Sequence, residues 1–414
     1  MSIAAPRVLI IGAGPAGLAA AAALAQRGIA GVRIVDREPE PGGIPRFCPH
    51  PTFGIADYLR PMPGPSWINR LVARIDQRQL SLNTTVTAIS SDLEVSLSDH
   101  DGESQLRPER ILLTTGIRET PRSARLISGD RPLNVITTGA LQRMVATSQP
   151  LPFRRPLIVG TELVSFSAAL TLRDQHIRAV AMVESGDRIR ARRPADLLTR
   201  LFLGIPVMTG HSVVSINAEA RNASLLRSVT LRGHNQQLRE INCDAVIFTG
   251  EFVPEASLLA AQPSLMNAAS GGPGIDQCWR LENQRIYAAG NVLRGVETAG
   301  WSAAEGKAAG LALADDLEGR LPVPVRRIPV LARDAVKLVS PSAISVPGPA
   351  PDQLHMCVRM ARAATGRLTL SADGRTVWQS RRFTALPERR LRVTRELPNL
   401  DTVAKLSVGF EEQD

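Results

Sequence analysis

Residues Val8–Asp36 read VLIIGAGPAGLAAAAALAQRGIAGVRIVD. The aliphatic, largely β-branched run Val8–Ile11 predicts a buried strand. Gly12–Gly17 is a glycine turn, Leu18–Gln26 an alanine-rich helix stopped by Gly28, and Val32–Val35 a second strand. In such a βαβ unit Gly12 permits the tight turn, Gly14 lets a pyrophosphate approach the backbone, and Gly17 lets helix and strand pack closely. Pro15 and Ala16 open the helix, whose N-terminus offers unpaired N–H groups and a positive dipole end to phosphates. Asp36 ends the second strand, where a carboxylate can take ribose hydroxyls, and Arg37 follows it. The three glycines alone are a weak signal. With strand, helix and terminal acid at the right spacing they predict a dinucleotide cradle, for FAD or for NAD(P).

The same rhythm returns in the middle of the chain. Leu157–Val159 ends at Gly160, Glu162–Arg173 reads as a helix and Ala179–Val183 as a strand. Gly160 precedes Glu184 by the same 24 positions that separate Gly12 from Asp36. Where the first unit has Gly12, Gly14 and Gly17, the second has Gly160, Glu162 and Ser165. A carboxylate at Glu162 repels a phosphate and occupies the dipole itself. The second unit therefore predicts a retained fold with NAD(P) binding doubtful; an atypical nicotinamide site using Glu184 is the alternative.

Three further segments end strand-like runs in glycine: Ile111–Gly116 (ILLTTG), Ala245–Gly250 (AVIFTG) and Ile286–Asn291 (IYAAGN), the last leading to a helix from Ser302 to Leu317. After about Arg320, prolines cluster from Pro322 to Pro351 and read as a linker. From Leu354 the pattern is strand-like, with a hairpin turn at Asp373-Gly374. The expected fold is α/β: two Rossmann-like domains plus a small β-rich C-terminal domain. The expected bounds are 1–125 with 280–320 for the first, 126–279 for the second, and 321–414 for the linker and β-rich region.

At this point the chain resembles the two-dinucleotide-binding-domain flavoproteins, the pyridine nucleotide-disulfide oxidoreductase-like group that includes thioredoxin reductase. The resemblance rests on the first cradle, on Gly42-Gly43 after the second strand, on ILLTTG and on IYAAGN, and it spans residues 1 to about 320. It implies FAD in the first cradle. Thr115 and Gly116 would form the turn after the third strand, Val86 would meet the adenine, and Gly290 and Asn291 would lie at the ribityl chain. Asn291 stands where the family usually carries aspartate. Thr298–Gly306, with Gly300 and Trp301, would set a helix N-terminus near the flavin ring. Disulfide reductases of this group need a closely spaced cysteine pair, and Cys48, Cys243, Cys278 and Cys357 offer none. No zinc-type spacing is present either, so no metal is expected.

The stretch Gly42–Arg60 (GGIPRFCPHPTFGIADYLR) looks like that of flavin subunits of heteromeric amine, hydroxyproline, opine or glycerol-phosphate dehydrogenases. The resemblance implies only that this stretch runs beside the flavin. There Arg46 can pair with the FAD pyrophosphate, and the candidate catalytic residues are Cys48, as a flavin neighbour or reactive thiol, and His50, as a base or flavin-edge donor. Packing of a proline-rich loop is the competing reading for both.

The chain of 414 residues carries a net charge of +10, almost all from arginine, with lysine only at 307, 337 and 405. The arginines are dispersed, without the dense basic and aromatic run of a nucleic-acid groove, so no nucleic-acid partner is expected. No stretch is long and apolar enough for a membrane span, and a cytoplasmic location is the default expectation. The leading expectation is an FAD-dependent oxidoreductase, a dehydrogenase or its flavin subunit. It would move electrons between a small-molecule substrate and a partner dehydrogenase or iron–sulfur subunit. Two other readings stay open: an NAD(P)H-dependent flavin reductase feeding a ferredoxin-like acceptor, and a non-catalytic FAD-bound scaffold subunit.

Overall fold

A computed structural model of the chain describes residues 5–191, 204–295, 297–348, 354–387, 389–396 and 400–412. The chain divides into two compact units, one of residues 1–43, 69–117 and 254–414, the other of 44–68 and 118–253.

The first unit holds a five-stranded sheet in the order Ile286–Ala288, Arg110–Leu113, Val8–Ile11, Val32–Val35, Leu80–Ser81. Val8–Ile11 is central and pairs in parallel on both sides. It is buried throughout, which is why it reads as a continuous aliphatic run rather than an alternation. The helix Pro15–Gln26 packs on the long helix Ala299–Leu317. A Cβ on Gly306 would lie 2.0 Å from the Ala16 carbonyl oxygen, and one on Gly310 2.7 Å from that of Ala20. Alanine on one helix and glycine on the other are what this close crossing requires. An antiparallel three-stranded sheet, Thr85–Ile89, Val95–Asp99 and Gly102–Leu106, completes this part.

The C-terminal part of the same unit is built of strands. One sheet contains Ala343–Val346, Arg326–Ala332, Leu406–Glu412, Ala364–Ala372 and Arg375–Gln379, with Phe383–Ala385 paired to Ala364–Ala372. A second contains Val336–Ser340, Leu354–Met360 and Leu391–Arg395. Ile328, Val358, Leu406 and Phe410 are among the residues of their shared core. Asp373 and Gly374 both have positive φ, 47° and 86°, as a two-residue hairpin turn demands. Three strands run through residues 326–346, inside the stretch Pro322–Pro351 that reads as a linker. Pro329 sits opposite Ala343 at the end of its ladder, where a missing N–H costs little.

The second unit repeats the parallel design in the order Val135–Thr137, Ala245–Phe248, Pro156–Val159, Ala181–Val183, Val207–Met208. The helix Leu163–Asp174 follows the glycine turn. Beside it a sheet runs Leu238–Asn242, Asn222–Gly233, His211–Glu219, Ser128–Gly129. Among the described residues no helix is long and apolar enough to cross a membrane.

Candidate functional site

The first glycine turn has the geometry its sequence implies. Gly12 has φ +107° and donates its N–H to the Val35 carbonyl at 2.8 Å. A Cβ there would come within 2.5 Å of the Thr114 carbonyl oxygen, and one on Gly17 within 2.0 Å of that of Gly12. Gly14 differs: a Cβ on it would meet nothing within 4 Å. Gly14 is the N-cap of Pro15–Gln26, so the space before the helix N-terminus is open. Unpaired N–H groups facing such a space can seat a phosphate.

Asp36 closes the turn from the side. One carboxylate oxygen accepts the Ala13 N–H at 2.7 Å and the other the Glu38 N–H at 2.9 Å. Gly42 donates to the Ala13 carbonyl at 2.7 Å, and a Cβ on Gly43 would lie 3.2 Å from Gly14 Cα. The Gly42-Gly43 loop thus folds back over the turn, and only glycine clears it. A cavity of about 130 Å³ opens beside Gly12, lined by Asp36, Arg37, Val86, Thr115 and Ser257 among others. Thr115 donates to the Glu255 carbonyl at 2.6 Å, and Gly116 (φ +76°) accepts the Glu255 N–H at 2.9 Å. Gly12, Gly14, Gly17, Asp36, Arg37, Val86 and Thr115 are therefore brought together. The open turn and its donor set fit the ADP half of a dinucleotide.

At the far end of the same sheet, Gly290 (φ +79°) follows Ile286–Ala288, and a Cβ on it would come within 2.9 Å of Ala16 Cβ. Asn291 donates to the Glu297 carbonyl at 3.1 Å and accepts the Glu297 N–H at 2.7 Å. Its amide thus ties the loop ahead of the helix Ala299–Leu317 through one N–H and one lone pair of the carbonyl. An aspartate would lack the donor. Gly300 and Trp301 lie in the first turn of that helix. Trp301 is 39% exposed, with the guanidinium groups of Arg390 and Arg392 over its ring at 4.6 and 4.7 Å.

Sequence reasoning missed a buried ionic cluster next to this helix. Glu297 contacts Arg294 (3.3 Å), Arg359 (2.7 Å) and Arg390 (3.1 Å), while Glu305 contacts Arg294 and Arg390. Burial opposes ionisation of Glu297, but Arg294, Arg359 and Arg390 together outweigh it and hold its carboxyl below the usual range. The members come from a loop, a helix, a distant strand and the residue just before another, so no local pattern marks them.

The second turn superimposes in conformation but not in content. Glu162 is the N-cap of Leu163–Asp174 with φ −73° and ψ 172°, close to the −77° and −175° of Gly14. The side chain absent at Gly14 is present here and fills the equivalent space. The Glu162 carboxylate accepts from Ser165 (3.2 Å), lies 3.3 Å from the Thr249 hydroxyl and pairs with Arg190 at 3.4 Å. It lies 2.6 Å from where a Cβ on Gly160 would be and 2.9 Å from one on Gly250. Glu184, 2% exposed, accepts from Thr161 (2.6 Å), the Gly186 N–H (2.9 Å) and Arg190 (3.1 Å). The Asp36 and Glu184 carboxylates both accept hydrogen bonds inside the protein, but Asp36 is half-buried at its turn whereas Glu184, the candidate ribose ligand of the second, is buried and also paired with Arg190.

Arg46, Cys48 and His50 belong to the second unit. Arg46 lies over the Phe47 ring at 4.4 Å. The buried Cys48 thiol has two weak acceptors within reach of its one proton, Gln142 Oε1 (3.5 Å) and the Ile44 carbonyl (3.6 Å), and burial pushes its pKa up to about 12. Gln142 donates to Ser167 Oγ at 2.6 Å, and Ser167 meets His50 Nε2. His50 Nδ1 meets Thr52 Oγ1 at 2.9 Å. Burial lowers the His50 pKa, partly countered by Asp174. Both imidazole nitrogens are engaged and the thiol is protonated at neutral pH.

A family model described as pyridine nucleotide-disulphide oxidoreductase matches residues 6–306. A subunit of the opine oxidase of Rhizobium meliloti (strain 1021) is 33% identical over 159 residues, 37% of this chain and 33% of that protein. The match thus spans about a third of that relative's own length. Among solved structures, thioredoxin reductase of T. acidophilum aligns with TM-score 0.63 at 18% identity, over 75% of this chain and 98% of that one. L-proline dehydrogenase of P. horikoshii aligns with TM-score 0.56 at 17% identity, over 76% and 56%. The solved structures support the fold. The family match covers well over half of the sequence, and the chain belongs to the pyridine nucleotide-disulphide oxidoreductase family, flavin oxidoreductases that generally bind FAD.

Proposed function

We propose that this chain is the FAD-carrying subunit of a heteromeric dehydrogenase, which oxidises a small organic substrate and passes the electrons to a partner rather than to NAD(P)+. The observation that carries this reading is the contrast between Gly14 and Glu162: one N-cap position is open and the other is filled by a satisfied carboxylate. FAD, when bound, supplies the two-electron chemistry that no side chain here provides. Gly12, Gly14 and Gly17 would hold its pyrophosphate, Asp36 and Arg37 its ribose, and Val86 and Thr115 its adenine side. Gly290, Asn291 and the helix start at Gly300-Trp301 would meet the ribityl chain and ring, where the helix dipole favours negative charge. The names of the two relatives, opine oxidase and L-proline dehydrogenase, make amino-acid-derived amines the first substrate class to try. The acceptor would be a quinone, an iron–sulfur protein or another subunit.

Cys48 and His50 then serve as anchors of the loop that follows Gly43, not as reacting groups. Burial of the thiol and the closed Thr52–His50–Ser167–Gln142 chain support that role.

The test is purification of the full chain, quantification of released FAD, and anaerobic titration with amino acids, hydroxy acids and opines, alone and with candidate partner subunits. Stoichiometric FAD and substrate-dependent loss of flavin colour would support the reading. A chain that takes up no FAD when reconstituted would overturn it. Turnover by the isolated chain would exclude the scaffold alternative.

A further inference from the structure

A cavity of about 870 Å³ lies in the first unit, between the helix Ala299–Leu317 and strands of the C-terminal sheets. It shares no lining residue with the cavity beside Gly12. Its volume is in the range of sites for sizeable organic ligands. Its charge is one-sided. Arg294, Arg390, Arg392 and Arg395 line it against two carboxylates, Asp276 and Glu305. Asp276 is committed to Arg280 at 3.0 Å, and Glu305 is shared by Arg294 and Arg390. Among the described residues, Arg392 and Arg395 meet no carboxylate.

These two arginines are held another way. The Arg392 guanidinium lies 4.7 Å from the centroid of the Trp301 ring, and that of Arg395 lies 4.6 Å from Trp378. Both indoles line the cavity too. Arg395 also donates one N–H to the Thr394 carbonyl at 3.2 Å; stacking on an aromatic face orients each guanidinium plane while its other N–H groups can meet a carboxylate or phosphate. Leu354, Met356 and Val393 add apolar wall. An overall charge of +10 adds long-range attraction for an anion.

We propose that this cavity is a binding site for a small organic polyanion, with Arg392 and Arg395 as its anion-recognising groups and Trp301 and Trp378 as its walls. Polycarboxylates and phosphate esters share that chemistry. The cavity adjoins the proposed flavin site at Trp301, but its anion-recognising groups Arg392 and Arg395 are not among the residues assigned to the flavin, and it does not depend on which substrate the flavin oxidises.

The test is calorimetric titration of the full-length chain, kept in excess FAD, with citrate, pyrophosphate, AMP and uncharged adenosine. At least one anion should bind saturably at one site per chain, and adenosine should not. Stronger binding of citrate would point to a polycarboxylate, and stronger binding of pyrophosphate or AMP to a phosphate ester. The double variant Arg392→Gln/Arg395→Gln should weaken the best anion at least about tenfold with flavin content unchanged, and the double lysine variant should recover part of it. Absence of binding by every anion at millimolar concentration, or equal affinity in the glutamine variant, would overturn the proposal.

Discussion

The Thr249 hydroxyl donates to the Val159 carbonyl at 2.9 Å and also reaches the Glu162 carboxylate at 3.3 Å. Thr114 occupies the corresponding place in the first unit and donates to the Ile11 carbonyl at 3.0 Å, but no acid reaches it from the helix start. The strand-end threonine is thus common to both turns, and only in the second does it help retain a side chain across the glycines. Removing that side chain should reopen the turn. Glu162→Gly is expected to acquire weak, saturable NADH binding, measured by nucleotide fluorescence, that the parent chain lacks.

The two glycines of the first turn should fail in different ways. Gly14→Ala places its methyl in open space, so thermal stability should be unchanged while FAD affinity falls. Gly17→Ala forces a Cβ to 2.0 Å from the Gly12 carbonyl oxygen, an overpacking that should cost about 1–3 kcal/mol. Denaturant melts and flavin retention on gel filtration separate the two outcomes.

Glu297 joins three arginines in the interior of the first unit. Glu297→Ala strands those cations and should destabilise the fold by about 3–5 kcal/mol, as loss of one partner of a buried ionic cluster does. Its carboxyl is held below the usual range. The stability it contributes is therefore present above the ordinary glutamate pKa and lost as pH falls through the depressed value. Chemical denaturation at neutral and acid pH checks both.

His50 gives an acid sensitivity of a different origin. Its folded-state pKa is lowered by burial, so below the ordinary histidine value the unfolded chain binds a proton that the folded chain refuses. Stability should fall as pH drops through that value and level off below the depressed one. In His50→Gln this component should vanish from calorimetric scans between about pH 8 and pH 5, around the ordinary histidine value near 6.5.

All four cysteines are free and buried. Cys48, Cys243 and Cys278 are pushed up to about 12 by burial, and Cys357 is also raised. A thiol reagent should label none of them quickly in the native protein and all of them in denaturant. Rapid native labelling of Cys48 would restore it as a reactive group.

The parallel strands and the first cradle were legible because their information is local. Val8–Ile11 is buried on both faces, and Gly17 answers a clash with the Gly12 carbonyl within the turn itself. The hairpin at Asp373-Gly374 was equally plain, since both positions need positive φ. The Glu162 substitution also showed in sequence, though its contacts with Ser165 and Thr249 did not. What escaped depends on residues far apart in the chain. The Arg294–Glu297–Arg390 cluster joins segments nearly a hundred positions apart, and the use of the Asn291 amide on Glu297 follows from loop closure. Three strands in residues 326–346 were hidden by prolines, which read as linker unless the pairing partner is known.

The central claim is that the first cradle is the working dinucleotide site and the second is closed. It is tested most directly by mixing the FAD-loaded chain anaerobically with NADH and with NADPH while following flavin absorbance. The account predicts that neither nucleotide bleaches the flavin on the time scale of turnover, whereas a suitable small substrate does. Rapid, saturable bleaching by either nucleotide would contradict it.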